Sequence, residues 1–193
     1  MRRDPVRMAG VARNATVGAL LGLGLLLSNW PARAVDGVIE INQAAALAGG
    51  ITPCDQPGFP VSLCASGSYR LTSNLTYSSG SGINLDAPDI HLDLNGMTVQ
   101  GPATCVTGAG GFVTSCTGIP NPGREAIRSS SARATVRNGT VRGAEYTCIS
   151  LDGDSGVIED LVLTGCGDSG VDLGGNATAS NIKVIGVRSA GIV

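Results

Sequence analysis

The chain has 193 residues, enough for one ordinary domain, and a net charge of −2 with only 15% charged residues. That balance excludes a nucleic-acid-binding face, which needs clustered cations, and the low net charge with a substantial apolar content excludes a disordered chain. Glycine is abundant at 29 residues and aromatics make up 3%, so a large aromatic core is excluded and short, often-turning segments are favoured.

The first segment is basic at Arg2, Arg3, Arg7 and Arg13, apolar from Val17 to Leu27, and ends in the small-x-small pattern of Pro31-Ala32-Arg33-Ala34. It reads as a signal peptide, residues 1–34, cleaved after Ala34; the rival reading is an uncleaved anchor. No second long apolar run follows. The expectation is a secreted, periplasmic or cell-surface protein with no stable membrane span once the leader is removed.

Residues 35–66 read as an N-terminal cap. Val38 to Ile41 suits a strand, and Asn42 to Ala48 suits a short helix with an asparagine cap and a stop at Gly49-Gly50. A stacked repeat needs its open apolar end covered, and this helix with the loop after it is suited to that task.

Residues 67–193 read as a repeat. Ile127, Ile149, Val171 and Ile192 are spaced 22, 22 and 21 apart. Asn138, Asp160 and Asn181 keep the same register, as do Val141, Leu163 and Val184, and Gly143, Gly165 and Gly186. Four columns in one register signal a solenoid. Apolar alternation at Leu161 and Leu163, Ile182 and Val184, and Ile149 and Leu151 means strands with one face inward. The aliphatic columns are expected to stack inside, with Asn/Asp and Gly at bends that need left-handed backbone; Leu163 and Val184 are both expected to be buried. Ile83 and Leu92 extend the register backward, each 44 residues before Ile127 and Val136. Residues 102–124 break the alternation and carry Pro120 and Pro122, so they are read as a loop excursion from the stack.

Six cysteines follow the leader: Cys54, Cys64, Cys105, Cys116, Cys148 and Cys166. An even count in an exported chain suggests disulfides. Cys54–Cys64 and Cys105–Cys116 are favoured because each closes a short Gly- and Pro-rich segment; Cys148 and Cys166 lie in the repeat, where pairing depends on geometry. A metal site is the competing reading, disfavoured by the lack of CxxC and by a single histidine.

The strings Gly67-Ser68-Tyr69-Arg70-Leu71-Thr72-Ser73-Asn74-Leu75, Ile90-His91-Leu92-Asp93-Leu94-Asn95-Gly96 and Thr135-Val136-Arg137-Asn138-Gly139 resemble bacterial right-handed parallel β-helix repeat proteins, similar in fold to pectate lyases. The resemblance covers roughly Asp36 to Val193 and rests on structural signatures. It implies an all-β fold: a right-handed parallel β-helix of about 21–22 residues per coil with a short N-terminal helical cap. It raises polysaccharide lyases, hydrolases and epimerases as relatives, but fold does not fix function. The stop at Gly191-Ile192-Val193 falls within an apolar strand, which brings in truncation at the C-terminus and self-association through an open edge.

Candidate chemistry is sparse. Asp152, Asp154, Asp168 and Asp172 are close in sequence, yet register puts one carboxylate per column, against the six to eight oxygens calcium wants. They read as turn residues, and no cofactor is expected, with weak calcium binding as the alternative. His91 faces outward beside Asp93 with no nucleophile in a recognisable motif. Arg128, Arg137 and Arg142 form a modest outward basic cluster, and Arg128, Arg137 and Asp172 are the candidate ligand-facing residues. Tyr69, Tyr77 and Tyr146 share no column, so a sugar-stacking platform is not indicated. The expected function is a carbohydrate- or surface-associated module without identifiable catalytic residues. The alternatives are the N-terminal part of a polysaccharide lyase or glycoside hydrolase, or a structural assembly protein.

Overall fold

A computed structural model describes residues 37–109, 113–117 and 122–193. The leader reading of 1–34, its cleavage point and Pro120 lie outside these residues. Two parallel sheets account for most of the rest. The first contains β1 (Val38–Ile41), β3 (Gly67–Leu71), β4 (Leu75–Thr76), β6 (Ile90–Asp93), β7 (Thr98–Gln100), β11 (Thr135–Arg142), β13 (Val157–Cys166) and β15 (Thr178–Val187). The second contains β2 (Val61–Leu63), β5 (Ile83–Leu85), β10 (Ile127–Ser129), β12 (Ile149–Leu151) and β14 (Val171–Leu173). Neighbours within each sheet follow chain order, so the chain alternates between sheets and adds to each at every pass.

The pairing follows the sequence period. Ile127 lies opposite Ile149 and Ile149 opposite Val171, while Ile192 bridges back to Val171. Ile83 pairs directly with Ile127, although 44 residues separate them. One step between neighbouring strands therefore spans two sequence periods, and the surplus leaves the stack. It contains β8 (Cys105–Thr107) and β9 (Val113–Cys116), an antiparallel pair outside both parallel sheets.

Side chains alternate across the strands as the period-two pattern requires. Leu75, Val99, Val141 and Leu163 are fully buried and aligned from strand to strand. Val184 continues that column but is only partly buried, contrary to expectation. It stands on β15, which ends the strand order of its sheet, so only one side of its column is covered.

Left-handed backbone is concentrated in three columns of bends. Asn138, Asp160 and Asn181 have φ of 59°, 55° and 51°, and Asn95 joins them at 52°. Short polar side chains tolerate this region because they hydrogen-bond locally. The Asn181 side-chain amide donates to Asp160 Oδ1 at 2.6 Å, whereas that of Asn138 donates to Asp93 Oδ1 at 3.2 Å. Gly143, Gly165 and Gly186 form the second column, at 70°, 62° and 65°, where the missing Cβ removes the steric penalty. A third column, of Asp89, Arg133, Ser155 and Asn176, is also left-handed.

The cap region is built into the stack rather than laid over it. Helix α1 (Gln43–Ala48) starts where Asn42 accepts a hydrogen bond from the Ala45 amide at 2.9 Å and ends at Gly49, with φ of 72°. Its flanking strands β1 and β2 pair with β3 and β5, so the described part of the cap, residues 37–66, also supplies the first strand of each sheet. Cys54–Cys64, Cys105–Cys116 and Cys148–Cys166 are disulfides. Asp55 holds the loop inside the first bond: its carboxylate accepts from the amides of Ile51 at 3.1 Å and Ser62 at 2.9 Å.

Candidate functional site

The outward face of the first sheet carries its polar chemistry. One column reads Glu40, Arg70, Asp93, Arg137, Glu159 and Ser180 from β1 to β15, so charge alternates across five successive strands. Arg70 meets Glu40 at 3.0 Å, and Arg137 lies 3.4 Å from Asp93 and 3.8 Å from Glu159. Arg137 is thus flanked by two carboxylates and is poorly placed to offer net charge to an acidic ligand. Arg128 and Asp172 lie on the second sheet, both aligned with Ser150 but on opposite sides of it. Two inter-strand steps put their backbones roughly 9–10 Å apart. The structure therefore does not bring Arg128, Arg137 and Asp172 together, and the three-arginine cluster divides, with Arg128 on one sheet and Arg137 and Arg142 on the other.

Beside the charged column, His91 is exposed and aligned with Ser68 and Thr135. A hollow of about 180 Å³ lies over this area, lined by Ser68, Arg70, His91, Asp93 and Arg137, with Val38 and Tyr69. Asp93 does not orient the imidazole. Its Oδ1 accepts from the Asn95 amide at 2.7 Å and from Asn138, while Oδ2 faces Arg137. The clustered aspartates are also engaged locally: Asp152 accepts from Ser150 at 2.7 Å, Asp154 from Asn176 at 2.9 Å and Asp168 from Ser169 at 3.1 Å. Among the described residues no group of three or more His, Cys, Asp or Glu side chains is placed to hold a metal. Tyr69 and Tyr77 belong to the interior, not to a stacking surface. Burial pushes the Tyr77 phenol well above the ordinary tyrosine range, and the carboxylates of Glu145 and Glu125 push it further.

The larger recess is a groove of about 360 Å³ between the first sheet and the β8–β9 hairpin. One wall is a strand-to-strand row of Gln100, Arg142 and Thr164. Gly143 and Gly165 contribute backbone, and Ala103, Thr104 and Cys105 line the hairpin side. Arg142 is exposed and, among the described residues, makes no salt bridge within 4 Å, unlike Arg70 and Arg137 on the same face. The hairpin lies against the glycine column. Cys105 Sγ is 3.3 Å from the Gly165 carbonyl oxygen, and a methyl added at Gly186 would sit 3.1 Å from Thr107 Cγ2 and 3.7 Å from Val113 Cγ2. A side chain at Gly186 would press on the hairpin at Thr107.

Sequence reasoning reached Arg142 but not Gln100, Thr104 or Thr164. Arg142 and Thr164 keep the 22-residue step, a signal that was present; Gln100 lies 42 residues before Arg142, off the period, because four residues, Leu94 to Met97, stand between the matched pairs where β11 has only Asn138 and Gly139. No family model, curated protein or solved structure matches the chain.

Proposed function

We propose that this protein is an exported right-handed parallel β-helix that binds polysaccharide in the groove between its first sheet and the β8–β9 hairpin, without catalysis by this chain. Parallel pairing at the 22-residue step and the chain's return to both sheets at every pass support the fold reading. Three disulfides fit an oxidising compartment, and no helix among the described residues is long and apolar enough to cross a membrane.

The observation that carries the ligand reading is the groove itself. It presents the Arg142 guanidinium, which makes no salt bridge among the described residues, the Gln100 amide, whose Nε2 also donates to the Gly101 carbonyl at 2.6 Å, and hydroxyls, along a row of strands spaced about 4.8 Å apart. Such a row offers repeated donors and acceptors to a polymer with repeated hydroxyls and carboxylates. Among the described residues no aromatic side chain lines the groove.

Calorimetric titration of the purified protein against acidic and neutral polysaccharides tests this, with product analysis for new unsaturated or reducing ends. Arg142→Ala is expected to weaken binding of an acidic polymer by about tenfold, the value of one charge-assisted hydrogen bond, while Arg128→Ala leaves it unchanged. Equal binding by both variants rejects the groove. New chain ends reject the non-catalytic reading in favour of a lyase or hydrolase.

A further inference from the structure

We propose that Cys105–Cys116 is a redox latch: a dithiol that reduces it frees the hairpin wall of the groove while Cys148–Cys166 stays closed. The latch's effect on ligand rests on the groove reading above; the release of the hairpin does not.

The described part of the hairpin is short and, beyond its own ladder, packs on the glycine column. β8 and β9 contain three and four residues, and their register shifts between Val106 and Thr107. A two-stranded ribbon of this kind is marginal alone in water. Among its described residues, hydrogen bonds beyond the ladder run within the hairpin itself: the Thr117 amide donates to the Thr104 carbonyl at 3.0 Å, the Thr104 amide to Thr117 Oγ1 at 3.1 Å, and Thr114 Oγ1 to the Val106 carbonyl at 3.1 Å. The disulfide joins directly opposed residues of this pair.

Access separates the three bonds. Thiol–disulfide exchange requires a thiolate to reach a sulfur. Cys148 and Cys166 are 0% exposed, beneath the sheets, whereas Cys105 and Cys116 are half-buried. Cys54–Cys64 is also accessible but lines no part of the groove.

The chemistry balances with an external dithiol. Its thiolate attacks one cysteine sulfur, the S–S bond breaks, and the departing cysteine thiolate takes a proton. The reductant's second thiol then displaces the other cysteine, leaving two protein thiols and an oxidised, cyclic disulfide. Two electrons move from reductant to protein, and oxidation reverses the change. Loss of a cross-link spanning 11 positions raises the open hairpin population by roughly a hundredfold, from loop-closure entropy. Gln100, Arg142 and Thr164 keep their places on the sheet, so ligand affinity falls rather than vanishes.

The test is a dithiothreitol titration of the native protein, mapping alkylated cysteines by mass spectrometry and amide hydrogen exchange across residues 104–109 and 113–117. Cys105 and Cys116 are expected to be alkylated before Cys148 and Cys166, with hairpin exchange rising about a hundredfold while β11 and β13 stay protected. The double variant Cys105→Ser, Cys116→Ser should show the same exchange without reductant. Unchanged hairpin protection on reduction, or Cys148–Cys166 opening first, overturns the latch. Polysaccharide titration in both redox states separates the two readings: hairpin release with no ligand bound in either state supports the latch and rejects the groove function.

Discussion

Val141 and Val184 offer the most direct test of how stacking stabilises this chain. Both stand in the aligned column that runs through Val99, Val141, Leu163 and Val184. Their chemistry is identical and their surroundings differ. Val141 is fully buried with Val99 on one side and Leu163 on the other; Val184 is partly buried, with Leu163 on one side only. Truncation to alanine removes two carbons, about 1.6 kcal/mol at roughly 0.8 kcal/mol per buried methylene. At Val141 the two flanking strands resist collapse, and the residual cavity raises the cost to about 2–3 kcal/mol. At Val184 part of that surface is already in water and no closed cavity forms, so the cost is about 1 kcal/mol or less. Urea denaturation followed by far-ultraviolet circular dichroism measures both, provided the denaturant slope is unchanged between variants. Equal costs, or a larger cost at Val184, would refute the claim that coverage by neighbouring strands on both sides sets the stability of this column.

Asp55→Ala should cost about 2–3 kcal/mol by leaving the amides of Ile51 and Ser62 without their acceptor; Asp55→Asn, which keeps one acceptor oxygen, should cost less in the same denaturation assay. Asn138→Gly should leave stability within about 1 kcal/mol of the parent, whereas Asn138→Val should be clearly worse, because a β-branched side chain opposes φ of 59°; comparable melting of the two variants would contradict this. The hydrogen bond from Arg133 and its charge, with a smaller contribution from His91, hold the Asp89 carboxyl below the usual aspartate range. A depressed folded pKa means a stabilising contribution present above the ordinary aspartate range and lost as pH falls through the folded value. Carboxyl-detected NMR titration should place the Asp89 midpoint below the usual value and Arg133→Gln should restore it, while an unshifted midpoint in the parent would exclude the pairing. Leu163→Asp, which puts an unpaired charge at a fully buried position, should abolish cooperative unfolding; a parent-like melt would exclude burial there.

The parts of the fold legible in sequence are those where a residue type is tied to one physical demand. Ile127, Ile149 and Val171 repeat because a covered strand position accepts only aliphatic side chains, and Asn138, Asp160 and Asn181 repeat because few residues tolerate their backbone. The bend at Asp89, Arg133, Ser155 and Asn176 has the same left-handed conformation but no common chemistry, so no column announced it. Arginine is unusual there; stacking on its neighbours and the Arg133–Asp89 ion pair, at 2.7 and 2.8 Å, hold it in place. The Cys148–Cys166 pairing was open because it depends on how two turns of chain approach. The groove was legible only in part, since its wall is tertiary: the period says nothing of where an excursion folds back. Arg137 looked available because its carboxylate neighbours come from strands 44 and 22 residues away.

The alternation from Glu40 to Glu159 also guards against a particular error of assembly. Parallel strands of near-identical pattern can mate with the wrong sibling, and the aliphatic columns alone would scarcely object, because omitting one member brings apolar beside apolar. The outer row has parity. Joining β1 to β6 would set Glu40 against Asp93, β3 to β11 would set Arg70 against Arg137, and β6 to β13 would set Asp93 against Glu159. Each of these three omissions confronts like with like, which is unfavourable for directly opposed side chains, so the side facing water discriminates among partners that the interior would accept.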